Sequence, residues 1–244
     1  MCNAIVKPAS VLIDRTILQL AWNDNPHGAG LAYLEHGRIA ICKGYQSFAA
    51  FYRAYCKHSH RDLLIHFRFA THGPRTQDNA HPFQIAPDAA IMHNGILRDY
   101  APAEVSLKSD TRYFLDSIIV PALAQSKLSS AEFLSSPITK SIVECVIGKA
   151  NKLAALSPAG FTIFNEDCGE WSDGAWYSAG VPEENIWVRY AQRSGFRTDE
   201  PLYTGPELEI DVESCMLCGE PSVARYRADE EVLCSRCHSW YAGY

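Results

Sequence analysis

Residues 62–95 read DLLIHFRFATHGPRTQDNAHPFQIAPDAAIMHNG, in which a polar segment separates two apolar ones. The first apolar segment, residues 62–70, is rich in Leu, Ile and Phe and predicts a strand. Residues 71–89 include one glycine and three prolines, which indicates a loop. Residues 89–93 predict a second strand, which ends at Asn94-Gly95. The order in this segment is therefore strand, long polar loop and strand.

Strand and helix patterns alternate on the N-terminal side of this segment. Gly28-Ala29-Gly30 opens one strand and Gly37 turns the chain into the next, which is typical of a hairpin. Two other segments carry apolar residues at helical spacing. The predicted elements are a strand over residues 3–7, a helix over 11–22, hairpin strands over 31–34 and 38–42, and a helix over 48–56.

Helices and further strands are predicted on the C-terminal side. Ser109 has the character of an N-cap for a helix that runs towards Leu123, with Asp110 in its favourable first turn. Pro121 is expected to disturb the end of that helix. The other predicted elements are a helix over residues 137–156 and strands over 160–164, 171–177 and 186–190.

The composition fits one large domain with a small appendage. The chain has 244 residues, of which 47% are hydrophobic, so it can form a packed core and is not intrinsically disordered. The segment 195–213 resembles a linker, which predicts a domain over residues 1–205 and a linker with a small module over residues 206–244. No apolar run reaches about 18 residues, so a membrane-spanning helix is excluded.

Charge and cysteine content restrict the function further. The chain has 22 Lys and Arg against 28 Asp and Glu, a formal charge of −6, and so gives no strong signal for nucleic-acid binding. Lys7, Asp14 and Arg15 interrupt the region where a secretory signal would have its apolar core. Nine cysteines without such a signal indicate reduced thiols and a cytoplasmic protein.

Four of the cysteines form a cluster near the C-terminus. Each of its two pairs has two residues between the cysteines, and fifteen residues separate the pairs, as in a four-cysteine zinc site. Four thiolates leave no free coordination position, so we expect a single structural zinc ion in a module that resembles a zinc ribbon. Two disulfides or four unrelated thiols are the alternative interpretation. The cluster consists of Cys215, Cys218, Cys234 and Cys237.

Cys2 follows the initiator methionine directly. A small side chain at this position normally allows an aminopeptidase to remove Met1, which would make Cys2 the first residue. The thiol is then a nucleophile, and the free α-amine beside it can accept its proton. An α-amine titrates near pH ~7.7–8.0 and a thiol near pH ~8.5, so the two groups are well matched. A cysteine at position 2 can also occur by chance.

Five short motifs follow one another along the chain. They are Cys2, HFRFATHG at residues 66–73, NAHPF at 79–83, HNGI at 93–96 and SDT at 109–111. Their order and spacing resemble the class II glutamine amidotransferases, N-terminal-nucleophile hydrolases that release ammonia from glutamine. The resemblance covers about residues 2–180. It implies an α+β fold, the αββα four-layer sandwich of Ntn hydrolases, here followed by the small C-terminal zinc-binding module.

The resemblance also implies roles for individual residues. Cys2 would attack the side-chain amide of glutamine, giving a γ-glutamyl thioester and ammonia. The Asn94 side chain and the Gly95 amide would form the oxyanion hole. Arg68 would bind the substrate α-carboxylate and Asp110 the α-ammonium group. The remaining positions that match the family's pocket and loops, and are assigned to substrate binding, are Thr71, His72, Gly73 and His81.

Three positions depart from the family pattern. The residue after the nucleophile is Asn3 instead of glycine, and the residue after the substrate-binding arginine is Phe69 instead of tryptophan. Arg112 stands where the family often has an acid. These changes concern substrate affinity and partner coupling more than the basic chemistry.

Family members generally carry an ammonia-consuming domain on the same chain, and the sequence shows no segment of that kind. We therefore expect a glutaminase that uses L-glutamine and supplies ammonia to an acceptor synthase on a separate chain. One alternative is a stand-alone γ-glutamyl amide hydrolase. Another is a catalytically inactive scaffold that keeps Met1 and acts as a zinc-dependent interaction protein.

Overall fold

The computed structural model describes residues 2–69, 77–100 and 108–182 and, in addition, the backbone of four short strands between residues 213 and 233. The chain divides into two compact units. The first comprises Met1–Gln46 and Ala50–Glu183, and the second comprises Ser47–Ala49 and Glu184–Tyr244. The predicted boundary near residue 205 lies outside the described residues and stays a prediction.

The described strands of the first unit form two antiparallel sheets. The strands are β1 (Asn3–Lys7), β2 (Ala29–Glu35), β3 (Arg38–Tyr45), β4 (Leu63–Phe67), β5 (Phe83–Ala86), β6 (Ala89–Asn94), β7 (Lys152–Ser157), β8 (Gly160–Phe164), β9 (Glu170–Ser172) and β10 (Ala175–Tyr177). One sheet has the order β3-β2-β4-β1-β10-β9, and the other has the order β5-β6-β7-β8. Each neighbouring pair is antiparallel.

Six α-helices are described. They are α1 (Arg15–Asp24), α2 (Phe48–His58), α3 (Asp110–Phe114), α4 (Val120–Ser126), α5 (Ser130–Ser135) and α6 (Pro137–Ile147). A π-helical segment, Leu115–Ile119, joins α3 to α4. Short 3-10 turns lie at Gln77–Asn79, Arg98–Tyr100 and Glu166–Cys168.

The two sheets share one apolar core. Successive side chains of a strand point to opposite faces, so alternate residues of each sheet face the other sheet. Ala4 and Val6 of β1 contribute to this core from one side, and Ala90 and Met92 of β6 from the other. Trp176 of β10 is fully buried in the same cluster. Cys2, which precedes β1, and Gly95, which follows β6, line the same pocket.

Helices cover the outer faces of the sheets. Ile91 and Leu153 of the four-stranded sheet pack in one buried cluster with residues of α3, α5 and α6, among them Phe114, Leu134 and Val143. On the six-stranded sheet, the rings of Phe51 in α2 and Phe67 in β4 lie 4.8 Å apart, edge to face. The first unit is thus a mixed α+β structure with two antiparallel sheets, compatible with the predicted sandwich.

Most of the predicted strands are confirmed. The strand predicted over residues 3–7 is β1, the strand over 160–164 is β8, and the predicted hairpin is formed by β2 and β3. The strand predicted over residues 171–177 consists of two strands, β9 and β10. The strand predicted over residues 186–190 lies outside the described residues.

The helix predicted over residues 137–156 is wrong in its second half. Helix α6 ends at Ile147, because Gly148 adopts a φ of 67° and turns the chain out of the helix. Residues Lys152–Ser157 form strand β7, in the middle of the four-stranded sheet. A short apolar run such as Leu153–Leu156 fits a helix and a buried strand equally well by pattern alone.

The helix predicted from Ser109 towards Leu123 is confirmed in part. The Ser109 side chain accepts a hydrogen bond from the Arg112 amide and caps α3, as predicted. Pro121 disturbs the turn before it, where the helix widens into the π-helical segment Leu115–Ile119, because its ring cannot accommodate the carbonyl of the preceding turn. The chain then continues as α4 to Ser126.

In the second unit, the structure describes two short hairpins. Strand β11 (Glu213–Ser214) pairs with β12 (Pro221–Ser222), and β13 (Tyr226–Ala228) pairs with β14 (Glu231–Leu233). Both pairs are antiparallel. The four clustered cysteines lie outside the described residues.

Among the helices in the described part of the chain, none combines the length and the apolar character that a membrane crossing requires.

Candidate active site

Sheet register places Cys2 next to the end of β4. Asn3 pairs with Phe67, so the residue before β1 lies beside the residues after β4. The Cys2 thiol contacts the backbone of Phe69 twice: its sulfur accepts from the Phe69 amide at 3.2 Å and donates to the Phe69 carbonyl at 3.4 Å. The thiol of Cys2, the predicted nucleophile, is therefore held by the backbone of Phe69, which is 67 residues away in sequence.

Cys2 opens onto a small pocket that communicates with solvent. The pocket lies where the ends of β1, β4 and β6 meet the start of α3. Its lining residues are Cys2, Arg68, Phe69, Asn79, His81, His93, Gly95, Ser109, Asp110 and Thr111.

Arg68 and Asp110 approach the pocket from two different elements. The backbone of Arg68 is fixed on both sides, since its amide donates to the Gly28 carbonyl at 2.8 Å and its carbonyl accepts from His27 at 3.0 Å. Asp110 begins α3, where its carboxylate accepts from the Leu97 amide at 2.8 Å and the Thr111 amide at 2.7 Å. Both residues are buried, so a cation and an anion are held at fixed positions in the pocket wall.

Gly95 follows β6 in a conformation that suits only glycine. Its φ is 143°, and a Cβ atom placed on it would lie 2.1 Å from the Asn151 Oδ1 atom. Asn151 is itself held by a hydrogen bond from its side chain to the Ile147 carbonyl at 2.7 Å. The Gly95 backbone is therefore pressed against a rigid neighbour on one side and faces the pocket on the other.

Asn94 directly precedes Gly95, is buried, and is not among the lining residues given above. Its amide lies 2.8 Å from the Ser178 hydroxyl, which follows β10. The other terminal atom, Oδ1, is buried and has no hydrogen-bond partner among the described residues. An unpaired buried polar atom next to a candidate reaction site requires an explanation.

Burial raises the pKa of the Cys2 thiol, although the Phe69 backbone hydrogen bond, the charge of the N-terminal amine and the nearby Arg68 charge oppose this effect. The neutral thiol is therefore favoured in this pocket, and a thiol is a poor nucleophile. A base that removes the proton during attack is needed for this sulfur to react with an amide.

Three histidines lie close together beside the pocket. The His66 and His81 rings are 4.3 Å apart, and the His66 Nε2 atom donates to the His93 carbonyl at 3.1 Å. The His93 ring contacts Thr111 Oγ1 at 2.8 Å and Asn151 Oδ1 at 3.0 Å. Both ring nitrogens of His81 are buried without a hydrogen-bond partner in the described part of the chain.

Burial keeps these three imidazoles neutral. Loss of solvation lowers the pKa of His66 to about 3, lowers that of His81 well below the ordinary value, and lowers that of His93. Positive charge on neighbouring groups, including Arg68, opposes protonation of His81 further. The pocket wall, which includes His81 and His93, therefore holds uncharged imidazoles at neutral pH.

We expect acid to destabilise the fold through these histidines. Below pH ~6.5 the unfolded chain takes up protons on these histidines more readily than the folded chain does, so the free energy of unfolding falls as the pH falls. Each histidine contributes up to about 1.4 kcal/mol per pH unit. Urea unfolding at pH 7.5, 6.0 and 5.0 measures the slope.

The variant His66→Gln is expected to reduce that slope by about the contribution of one histidine. The control is His60→Gln, since His60 is exposed. Equal slopes for the two variants would contradict this assignment.

The structure brings most of the predicted site residues together. Cys2, Arg68, His81, Gly95 and Asp110 line one pocket, and Asn94 directly precedes Gly95 in the chain. Three predicted substrate-binding residues, Thr71, His72 and Gly73, lie outside the described residues, as do the four clustered cysteines. Within the described residues, no group of three or more His, Cys, Asp or Glu side chains is arranged to hold a metal ion.

Three residues that shape the site were not predicted from the sequence. Asn79 lines the pocket and accepts a hydrogen bond from the Ser109 amide at 2.9 Å. Asn151 supports Gly95 and His93, and Ser178 contacts Asn94. Asn79 stands in the NAHPF motif, so a signal was present for it. Asn151 and Ser178 have no distinctive neighbours in sequence.

Parts of the chain are similar to enzymes named glutamine–fructose-6-phosphate aminotransferase (isomerizing). The protein from Halobacterium salinarum is 29% identical over 105 residues, which is 42% of this chain and 18% of that protein. The one from Pseudomonas aeruginosa is 32% identical over 99 residues, 39% of this chain and 16% of that protein. The one from Wigglesworthia glossinidia brevipalpis is 48% identical over 46 residues, 19% of this chain and 7% of that protein.

The matched segments span less than a fifth of the length of each of these three relatives. No family model matches the chain. A pocket with a thiol, a guanidinium and a carboxylate at the edge of two antiparallel sheets defines a candidate thiol-dependent amidase site. The partial matches support a class II glutamine amidotransferase domain over part of this chain.

Proposed function

We propose that the chain hydrolyses the side-chain amide of L-glutamine through Cys2, after removal of Met1, and supplies the ammonia to an acceptor enzyme on a separate chain. One observation carries this proposal: Cys2, Arg68 and Asp110 line the same pocket. A thiol, a cation and an anion match the amide carbon and the two charged ends of free glutamine. The partial similarity to aminotransferases whose names include glutamine supports the same substrate.

In the proposed reaction, the Cys2 sulfur forms a bond to the amide carbon of the substrate. The carbon–nitrogen bond then breaks, ammonia leaves, and a γ-glutamyl thioester remains on Cys2. Water hydrolyses the thioester and releases glutamate. The α-amine of Cys2 accepts the thiol proton and later donates it to the leaving ammonia, which meets the need for a base that the raised pKa of the thiol creates.

Substrate binding in this proposal uses the two charged residues of the wall. Arg68 binds the α-carboxylate, for which a planar guanidinium offers two parallel hydrogen bonds. Asp110 binds the α-ammonium group. Its Oδ1 atom already accepts from the Thr111 amide and hydroxyl, whereas its Oδ2 atom accepts from the Leu97 amide and keeps a further lone pair for the substrate. His81 and the residues Thr71, His72 and Gly73 are assigned to the rest of the binding pocket.

The oxyanion of the tetrahedral intermediate is assigned to Asn94 and Gly95. The Gly95 backbone borders the pocket, and the conformation of this residue is fixed by its φ of 143° and by Asn151. A fixed donor costs no reorganisation when charge develops, and the loss of one such donor typically lowers the rate by about 10²–10³.

The proposed fold is the αββα four-layer sandwich of N-terminal-nucleophile hydrolases. Two antiparallel sheets with a shared core, α3 to α6 on one side and α2 on the other, support it. The proposed location is the cytoplasm, where thiols stay reduced. The five described cysteines form no disulfide, which agrees with this location.

Two alternatives predict different behaviour in solution. A stand-alone γ-glutamyl amide hydrolase would not respond to an acceptor synthase, whereas a glutaminase subunit should be accelerated when its synthase and acceptor substrate are added. An inactive scaffold would retain Met1, and the intact mass of the purified protein detects that directly. The primary test is glutamate release from L-glutamine by protein whose mass shows that Met1 is absent.

The C-terminal cysteines are proposed to hold one structural zinc ion. Their spacing supports this assignment, and thiolates are the ligands that zinc prefers. We expect about one zinc per chain by elemental analysis, falling below about 0.2 per chain in Cys215→Ser/Cys234→Ser, because each pair then loses a ligand. The glutaminase unit should keep its unfolding transition. Protected thiols with no zinc would instead indicate disulfides.

A further inference from the structure

Ser178 connects the strand of the nucleophile with the candidate oxyanion residue. It follows β10, whose register with β1 places it opposite Ala4, and its amide donates to the Ala4 carbonyl at 2.9 Å. Its hydroxyl oxygen accepts from the Ala4 amide at 2.8 Å and lies 2.8 Å from the Asn94 side-chain amide. The side chain is only 1% exposed. One buried hydroxyl thus joins the start of β1 to the end of β6.

The orientation of the Asn94 amide decides whether this residue can stabilise an oxyanion. With Nδ2 towards Ser178, the atom left without a partner in the described part of the chain is Oδ1, an acceptor. A carbonyl oxygen repels a developing negative charge. The oxygen and nitrogen of an amide have nearly the same size, so the exchanged orientation fits the same space.

The Ser178 hydroxyl can select the exchanged orientation. Its oxygen already accepts the Ala4 amide, and its own proton can be donated to Asn94 Oδ1 over the same 2.8 Å contact. The NH2 group of Asn94 then takes the position that has no hydrogen-bond partner among the described residues. Unlike the oxygen, this group is a donor. The buried unpaired atom of Asn94 is explained as a position that the substrate oxyanion completes.

We propose that Ser178 is a positioning residue of the amidase reaction, which holds the Asn94 amide with its NH2 group towards the substrate oxyanion. This inference rests on the proposed glutaminase function. Ser178 is not one of the described residues that line the pocket. It therefore acts through Asn94 and not directly on the substrate. The competing interpretation is that Ser178 only provides a partner for the Ala4 amide.

A double-mutant cycle on glutamate release separates the two interpretations. In the parent background, Ser178→Ala is expected to lower kcat about 10–100-fold and to change KM for glutamine less than about threefold, because the oxyanion forms after the substrate binds. In the Asn94→Ala background, the same change should lower kcat by less than about twofold. An equal loss of kcat in both backgrounds would show that Ser178 has a structural role alone.

A matched pair of variants keeps the test valid if Ser178→Ala does not fold. Threonine and valine have nearly the same shape, so Ser178→Thr and Ser178→Val differ only in the hydroxyl. We expect a kcat at least about tenfold higher for the threonine variant, and equal values would overturn the inference. If the parent chain, free of Met1, releases no glutamate, the proposed function itself is wrong; if it is active and Ser178 variants match it, only the role of Ser178 is wrong.

Discussion

Replacement of Cys2 by alanine is expected to abolish glutamate release from L-glutamine, with a loss of at least about 10³-fold in kcat. The reason is that no other group described in the pocket is a comparable nucleophile, and removal of a covalent nucleophile costs more than removal of a residue that only binds. Alanine is small enough to allow the removal of Met1, so the N-terminus of the variant is processed like that of the parent. Coupled detection of glutamate over time measures the rate.

The matched control for this variant is Cys145→Ala. Cys145 is exposed on α6, outside the pocket residues, and forms no disulfide, so its replacement removes one thiol without touching the site. We expect the control to keep the parent rate within about twofold. Residual release by Cys2→Ala above about 5% of the parent rate would show that another group carries the reaction.

A second variant tests the α-amine separately from the thiol. A chain with one glycine placed before Cys2 keeps the thiol but converts its α-amine into an amide, which cannot accept a proton. Because burial raises the pKa of the thiol, the loss of this base is expected to lower kcat nearly as much as the loss of the thiol. Full activity of the glycine-extended chain would exclude the α-amine as the base.

The sequence predicted those helices and strands whose boundaries are marked by capping or turn residues. Ser109 and Asp110 marked the start of α3, and Gly37 marked the hairpin of β2 and β3. Helix α5 was missed, although Ser129 and Glu132 form a capping box, because its six residues are too few for a periodic pattern. Strand β5 was missed because Pro82 and Pro87 on either side favour a loop.

Site residues could be predicted from the sequence where one motif carries one chemical group. Arg68 and Asp110 could be found because each stands in a short motif, and the structure places both in the pocket of Cys2. Asn151 and Ser178 could not be found in the same way, because register alone brings them to the site. Asn151 stands directly before β7, and Ser178 is opposite Ala4 only because β10 pairs with β1. Supporting residues of this kind require the sheet topology.

Replacement of Gly95 by alanine is expected to lower the free energy of unfolding by about 3–5 kcal/mol and to remove most of the activity. A φ of 143° costs an L-residue roughly 1–3 kcal/mol, and the new Cβ would lie 2.1 Å from Asn151 Oδ1 and 3.0 Å from the Asn151 Cα atom. Relief of this overlap must move Gly95, whose backbone amide is the assigned oxyanion donor. Urea unfolding measures the stability, and glutamate release measures the activity.

The control for Gly95→Ala is Gly160→Ala, which separates backbone strain from the overlap. Gly160 also has a positive φ, of 90°, but a Cβ there would meet nothing within 4 Å, so only strain of about 1–2 kcal/mol is expected. In an Asn151→Ala background, the loss caused by Gly95→Ala should fall only in part, because the Cα atom of residue 151 stays close. Equal losses for Gly95→Ala and Gly160→Ala would contradict the close packing of Gly95 on Asn151. In that case the glycine is required for its φ alone, and Asn151 does not fix the position of the assigned donor.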